Sequence, residues 1–229
     1  MKTIFQDRAE AGRLLAEELV RYATRRNVIV LALPRGGVPV AFEVALVLHA
    51  PLDVFVVRKL GTPGQPELAM GAIATGGIRV LNMPVIEGLG IPMTVIDQVT
   101  AVEEQELKRR ELAYRGRPSE PTVSGRTVIL IDDGVATGAT MRAAIRALNA
   151  QRPERLIVAV PTAAASTYSE LQSEVDEFVA LMTPEPFFGV GTWYQDFSQT
   201  SDAEVSDLLA RARAFATSPV TVEAVREDS

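Results

Sequence analysis

Residues 128–140 set the narrowest limits on how this chain folds. Val128, Ile129, Leu130 and Ile131 run straight into two adjacent carboxylates, Asp132 and Asp133. A small, hydroxyl-rich turn then meets a helical pattern in which Met141, Ala144, Ile145 and Leu148 recur on one face. This order predicts a buried strand, a polar loop and a helix start. At a helix N-terminus the first N–H groups lack partners and the dipole end is positive. Ala136, Thr137, Gly138, Ala139 and Thr140 would therefore ring a phosphate with amides and two hydroxyls.

Two carboxylates beside an anion site repel the anion unless they face another part of the ligand. Carboxylates accept hydrogen bonds, so a ribose, with hydroxyls one sugar length from a 5′-phosphate, would satisfy both. A divalent cation is the other option. Competing phosphate motifs fail on spacing. The chain has no Gly-Lys-Ser/Thr of a P-loop and no G-x-G-x-x-G opening a helix, and its aspartates are adjacent rather than the D-x-D of haloacid dehalogenase phosphatases. Segment 128–140 resembles the ribose-5-phosphate-binding motif of type I phosphoribosyltransferases: four apolar residues, two acids, a short variable stretch, then Thr-Gly-x-Thr.

The rest of the chain alternates in a way that suits such a fold. A first amphipathic helix carries Ala11, Leu14, Leu15, Leu19 and Tyr22. A strand at 28–33, a helix with Ala41, Val44, Ala45 and Leu48, and an apolar run at 52–57 make a βαβ unit. Strand 127–132, helix 138–150, strand 156–160, a helix near 167–175 and strand 177–181 continue it. The prediction is α/β: a doubly wound, mostly parallel sheet with ligands at the carboxyl ends of its strands. One domain is expected over 1–217, followed by a tail at 218–229. Glycine- and proline-rich residues 60–82 read as a flexible loop with a little β structure at 78–81. Residues 92–114 read as a solvated helical insertion with pairs Glu104–Lys108 and Glu106–Arg110.

The resemblance implies further site residues. Arg35, Gly36 and Gly37 match the family's pyrophosphate-binding loop. Arg58 and Lys59, read as the carboxyl end of the second strand, would neutralise departing pyrophosphate. The 60–82 loop would close over the reaction, with Glu67 as a candidate proton acceptor. A C-terminal hood at 183–200 would hold the acceptor against Phe187, Phe188, Trp193 and Tyr194, although at least three of the five aromatics there, Phe197 included, are expected in the core. Family members acting on 6-oxopurines carry an aspartate immediately before the Thr-Gly-x-Thr, and Ala136 stands there instead. Hypoxanthine and guanine are therefore disfavoured as acceptors.

Together these imply a pentosyltransferase of nucleotide salvage, using 5-phospho-α-D-ribose 1-diphosphate and Mg²⁺ on a nitrogen acceptor. A catalytically weak phosphoribosyl sensor and a small phosphate-ester hydrolase are the alternatives. With no cysteine and a single histidine, His49, any metal must be bound by oxygen, which suits Mg²⁺ carried largely by substrate phosphates and Asp132 and Asp133. A net charge of −6 without a large basic cluster disfavours nucleic acid. No apolar run reaches a membrane span and no secretory leader is legible, so a cytoplasmic protein is expected. A homodimer is the default assembly.

Overall fold

The computed structural model describes residues 4–116 and 121–217, except the side chains of 66, 67, 216 and 217. The tail expected at 218–229 lies outside the described residues. The apolar runs become β1 (Val28–Ala32), β2 (Leu52–Val54), β6 (Thr127–Ile131), β7 (Arg155–Thr162) and β8 (Glu177–Met182). These form one parallel sheet in the order β2-β1-β6-β7-β8. Every residue of β1 and β6 is buried because both sheet faces are covered. Val28, Val30 and Ala32 pack with residues of α1 (Arg8–Leu19) and α2 (Gly37–Leu48), whereas Ile29 and Leu31 pack with residues of α5 (Ala139–Ala150). Helix α2 is apolar around most of its girth because it is wedged among β1, α1 and α7 (Asp202–Thr217). Helix α6 (Ala165–Leu171) links β7 to β8.

The strand order places a switch point between β1 and β6. The chain moves outward from β1 to β2 and returns on β1's other side, which opens a crevice beyond the carboxyl ends of β1 and β6.

Two expectations are corrected. The run 52–57 is not one strand: β2 ends at Val54, Phe55 and Val56 are buried, and the chain enters a second sheet. That sheet occupies the segment read as a flexible loop. It consists of β3 (Val57–Thr62), β4 (Gln65–Ala74) and β5 (Ile78–Leu81), antiparallel in that order. Its glycines misled the reading because several serve tight turns: Gly64, Gly76 and Gly77 adopt positive φ at the two hairpin connections.

Helix α4 (Met93–Arg115), which follows α3 (Met83–Leu89), carries the expected Glu104–Lys108 and Glu106–Arg110 pairs at 2.6 and 2.8 Å. It is more than a solvated helix, since it buries Ile96, Leu107, Tyr114 and Arg115. Arg115 donates to Asp53 Oδ1 at 2.7 Å and to the Val54 carbonyl at 2.8 Å, and it pairs with Glu111. Glu111 in turn accepts from Thr75 Oγ1 at 2.7 Å. The helix end thereby pins the place where the chain leaves the central sheet.

Candidate active site

The loops after β1 and β6 meet at the switch point. The Leu33 N–H donates to the Ile131 carbonyl at 2.8 Å, so the two strands remain paired to the edge of the crevice. Beyond it the loops touch. A Cβ on Gly36 would fall 1.9 Å from Asp133 Oδ2, and one on Gly37 would fall 2.7 Å from the Ile131 carbonyl oxygen. No side chain fits there without displacing the acidic loop. The Pro34–Arg35 peptide is cis. Arg35 is 3.6 Å from Asp202 at the start of α7, and Asp202 lies 3.4 Å from the Tyr114 hydroxyl of α4.

Asp132 and Asp133 are half-buried at the foot of the crevice. Asp132 Oδ1 accepts the Asp133 N–H at 2.9 Å. Burial, reinforced by the charge of Asp133, holds the Asp132 carboxyl well above the usual range. Burial also raises Asp133, opposed by Arg8, whose Nε donates to Asp133 Oδ2 at 2.8 Å. The side chains of Arg8 and Asp133 are only 11% and 14% exposed, so water screens the pair weakly. Tyr194 donates its hydroxyl to the Asp133 carbonyl at 2.5 Å. Its phenol is pushed upward by burial and the nearby carboxylates, which keeps it a donor.

Residues 136–140 lie on the other side of Asp133. Ala136, Thr137, Ala139 and Thr140 are exposed, while Gly138 is buried. Gly138 has φ of +72°, and a Cβ there would meet Thr167 Cγ2 at 2.6 Å. Thr167 donates to the Ala136 carbonyl at 2.6 Å, so α6 braces the loop from beneath. A cavity of about 340 Å³ runs from Thr137, Ala139 and Thr140 along α5 to the second sheet, where Lys59, Val80 and Asn82 line it.

Arg58 and Lys59 are not at a strand end and do not act from one side. Both lie within β3, where neighbouring side chains point to opposite faces. Lys59 lines the cavity, whereas Arg58 turns to α4 and pairs with Glu103 at 2.6 Å. Glu67 belongs to β4, but its side chain lies outside the described residues.

The expectation that at least three hood aromatics are core is also corrected. Of the five, only Tyr194 is buried, and Phe188 is 81% exposed. Phe187 stacks on Trp193 with ring centres 6.3 Å apart. The segment continues out of β8 over the crevice instead of entering either main core. Val190 reaches within 2.5 Å of where a Gly134 Cβ would stand, which sets the hood directly beside the acidic loop. Tyr194, buried among these residues, braces Asp133 through its hydroxyl.

Sequence reasoning missed Arg8, Asp202 and Thr167. Arg8 follows the N-cap Asp7 of α1 and reaches the site only because α1 packs beside α2. Nothing in its local sequence distinguishes it from a solvated helix residue. Among the described residues no group of three or more His, Cys, Asp or Glu side chains could cage a metal. The donor set still fits a magnesium ion that keeps substrate and water oxygens, which needs only one or two protein carboxylates.

A family model described as the phosphoribosyl transferase domain matches residues 2–195. A protein of Mycobacterium tuberculosis strain H37Rv, named as a phosphoribosyl transferase, is 48% identical over 210 residues, covering 91% of this chain and 47% of the relative. The chain thus spans about half the length of the curated relatives it matches. The bifunctional protein PyrR of Listeria monocytogenes strain HCC23 is 34% identical over 109 residues, covering 42% of this chain and 58% of its own. Among solved structures, TT1426 from Thermus thermophilus is 42% identical with a TM-score of 0.81, covering 91% of this chain and 98% of that one.

Proposed function

The chain belongs to the phosphoribosyl transferase domain family, and from that premise we propose that it transfers a phosphoribosyl group from 5-phospho-α-D-ribose 1-diphosphate to a nitrogen acceptor. The observation that carries this reading is the convergence of two loops on one crevice, with Gly36 of the first pressed against Asp133 of the second and the 136–140 helix start beside them. Amides and hydroxyls of 136–140 hold the 5′-phosphate, and Asp132 and Asp133 accept from the ribose hydroxyls. Backbone amides of 35–37, with the Arg35 guanidinium, take the diphosphate. Lys59 faces the 137–140 helix start across the cavity from the second sheet. The C1′–N bond forms as the C1′–O bond breaks, the electron pair leaves with pyrophosphate, and the acceptor nitrogen loses its proton. Positioning and fixed charge supply most of the acceleration.

Asp132 and Asp133 would hold Mg²⁺, which when bound neutralises diphosphate charge. The acceptor is a nucleobase other than a 6-oxopurine, because Ala136 offers no carboxylate to the ring. We place the protein in nucleotide salvage in the cytoplasm, as a homodimer. Incubation with the donor, Mg²⁺ and a panel of purines, pyrimidines and other amines, followed by pyrophosphate release, tests the reading. Release with one acceptor supports it, and hydrolysis without acceptor favours a phosphate-ester hydrolase. Binding without turnover favours a sensor, a reading that gains weight from Arg58, which is engaged by Glu103. Unchanged donor affinity in Asp132→Asn/Asp133→Asn would defeat the ribose assignment.

A further inference from the structure

The N-terminal helix contributes one side chain to the crevice, and that side chain makes three contacts at once. Arg8 Nε donates to Asp133 Oδ2 at 2.8 Å. Its Nη1 donates to the Ser198 carbonyl at 2.7 Å. Its guanidinium carbon lies 4.0 Å from the centre of the Phe197 ring and 5.9 Å from that of Tyr194. A planar, forked cation is the only side chain that satisfies a carboxylate, a carbonyl and an aromatic face together.

We propose that Arg8 is a positioning residue for phosphoribosyl transfer, fixing the Asp133 carboxylate for the ribose and joining it mechanically to the hood segment 194–198. The inference rests on the donor-binding reading above. With one oxygen of Asp133 engaged by Nε, its orientation is set before ligand arrives. The cation also offsets one of two adjacent negative charges that would otherwise face an incoming diphosphate. The other end of the linkage is the hood: Phe197 and Ser198 follow closely on Tyr194, whose hydroxyl holds the Asp133 carbonyl. A shift of Asp133 on ribose binding is therefore transmitted through Arg8 and Tyr194 to the segment that faces the acceptor. Donor occupancy and hood position are one coupled event.

The chain's single tryptophan, Trp193, sits in this hood and provides the readout. Donor with Mg²⁺ is titrated into wild type, Arg8→Ala and Arg8→Lys, recording calorimetric affinity and Trp193 emission in parallel. Wild type should bind and change its emission. Arg8→Ala should bind about tenfold more weakly, as befits one lost charge-assisted bond, and lose the emission change. Arg8→Lys keeps a cation beside Asp133, so its affinity should stay within about threefold, but an ammonium cannot bridge all three partners and the emission change should fall away. If Arg8→Ala fails to fold by circular dichroism, the lysine variant decides alone. Wild-type affinity with an intact emission response in either variant overturns the proposal, as does donor binding to wild type that leaves Trp193 silent. Absence of donor binding to wild type instead removes the functional reading, and this inference with it.

Discussion

Replacing Gly36 with alanine tests the contact on which the site is built. Gly36 has φ of −61° and ψ of −32°, a conformation alanine adopts freely, so the backbone itself raises no objection. Considered alone, the lost flexibility of the unfolded chain would stabilise the variant by about 0.4–1 kcal/mol. The opposing effect is steric. The new methyl lies 1.9 Å from Asp133 Oδ2, and that oxygen must retreat by about 1 Å to reach even the 3.0 Å below which real contacts essentially never occur. Asp133 is held by Arg8 on its carboxylate and by Tyr194 on its carbonyl, so the retreat breaks or bends a charge-assisted bond worth about 1.5–3 kcal/mol. Overpacking adds roughly 1–3 kcal/mol. A net loss of about 3 kcal/mol corresponds to a fall in melting temperature of roughly 6–12 °C for a chain of this size. Donor affinity should fall by roughly ten- to a hundredfold, at 1.4 kcal/mol per decade. Thermal melts and donor calorimetry measure both. Gly88→Ala is the control, since a Cβ there meets nothing within 4 Å inside α3, and it should be neutral or stabilising by about 0.5–1 kcal/mol. A Gly36→Ala protein that melts and binds like wild type would refute the argument that the two loops are in contact.

Three further outcomes follow from the same geometry. Asp132→Asn should abolish donor binding yet raise the melting temperature of the ligand-free protein, by about 1–2 kcal/mol of stability, because a carboxylate held above its usual range by burial destabilises the fold once ionised. With the folded value raised, that group's stabilisation is complete below the unfolded value and is lost as pH rises through the folded one. Melts from pH 4 to 8 should therefore show a decline in wild type that flattens in Asp132→Asn, and parallel curves would count against it. Arg58→Gln should cost at most about 1 kcal/mol and leave donor affinity within about threefold, since Arg58 serves Glu103; a tenfold loss by calorimetry would mean that α4 releases it on binding. Gly138→Ala combines a positive φ with a 2.6 Å clash against Thr167 and should cost about 2–4 kcal/mol in chemical denaturation, with weakened inorganic phosphate binding.

The central sheet was legible because each of its strands is a short apolar run bounded by turn residues, and burial on both faces leaves no other role for such runs. Residues 128–140 were legible for a further reason: the strand, acidic pair and helix start that resemble a ribose-5-phosphate motif are written into consecutive residues. Arg8 was not, because its partners at 133, 197 and 198 are brought to it by tertiary packing alone. The second sheet was obscured by composition. Glycine and proline signal turns wherever they occur, and a sheet made of short hairpins concentrates turns until they outnumber the pattern between them. Arg58 shows the effect of misplacing one boundary: the second strand ends at Val54, and Arg58 falls inside the next sheet with its guanidinium against Glu103 of α4.

The sheet order carries a consequence for how the protein emerges from the ribosome. Val28 of β1 pairs with Thr127 of β6, about a hundred residues later in the chain. Until then β1 has a neighbour on one side only, and its other edge is bare in the nascent polypeptide. The intervening residues 57–115 form a hairpin sheet and a long helix with mainly short-range pairings, able to assemble while synthesis proceeds. The crevice waits for this pairing, for its two walls are not neighbours until β6 docks. Only after synthesis has passed the loop that follows β6 does the exposed half-sheet give way to a chain with both walls of the crevice.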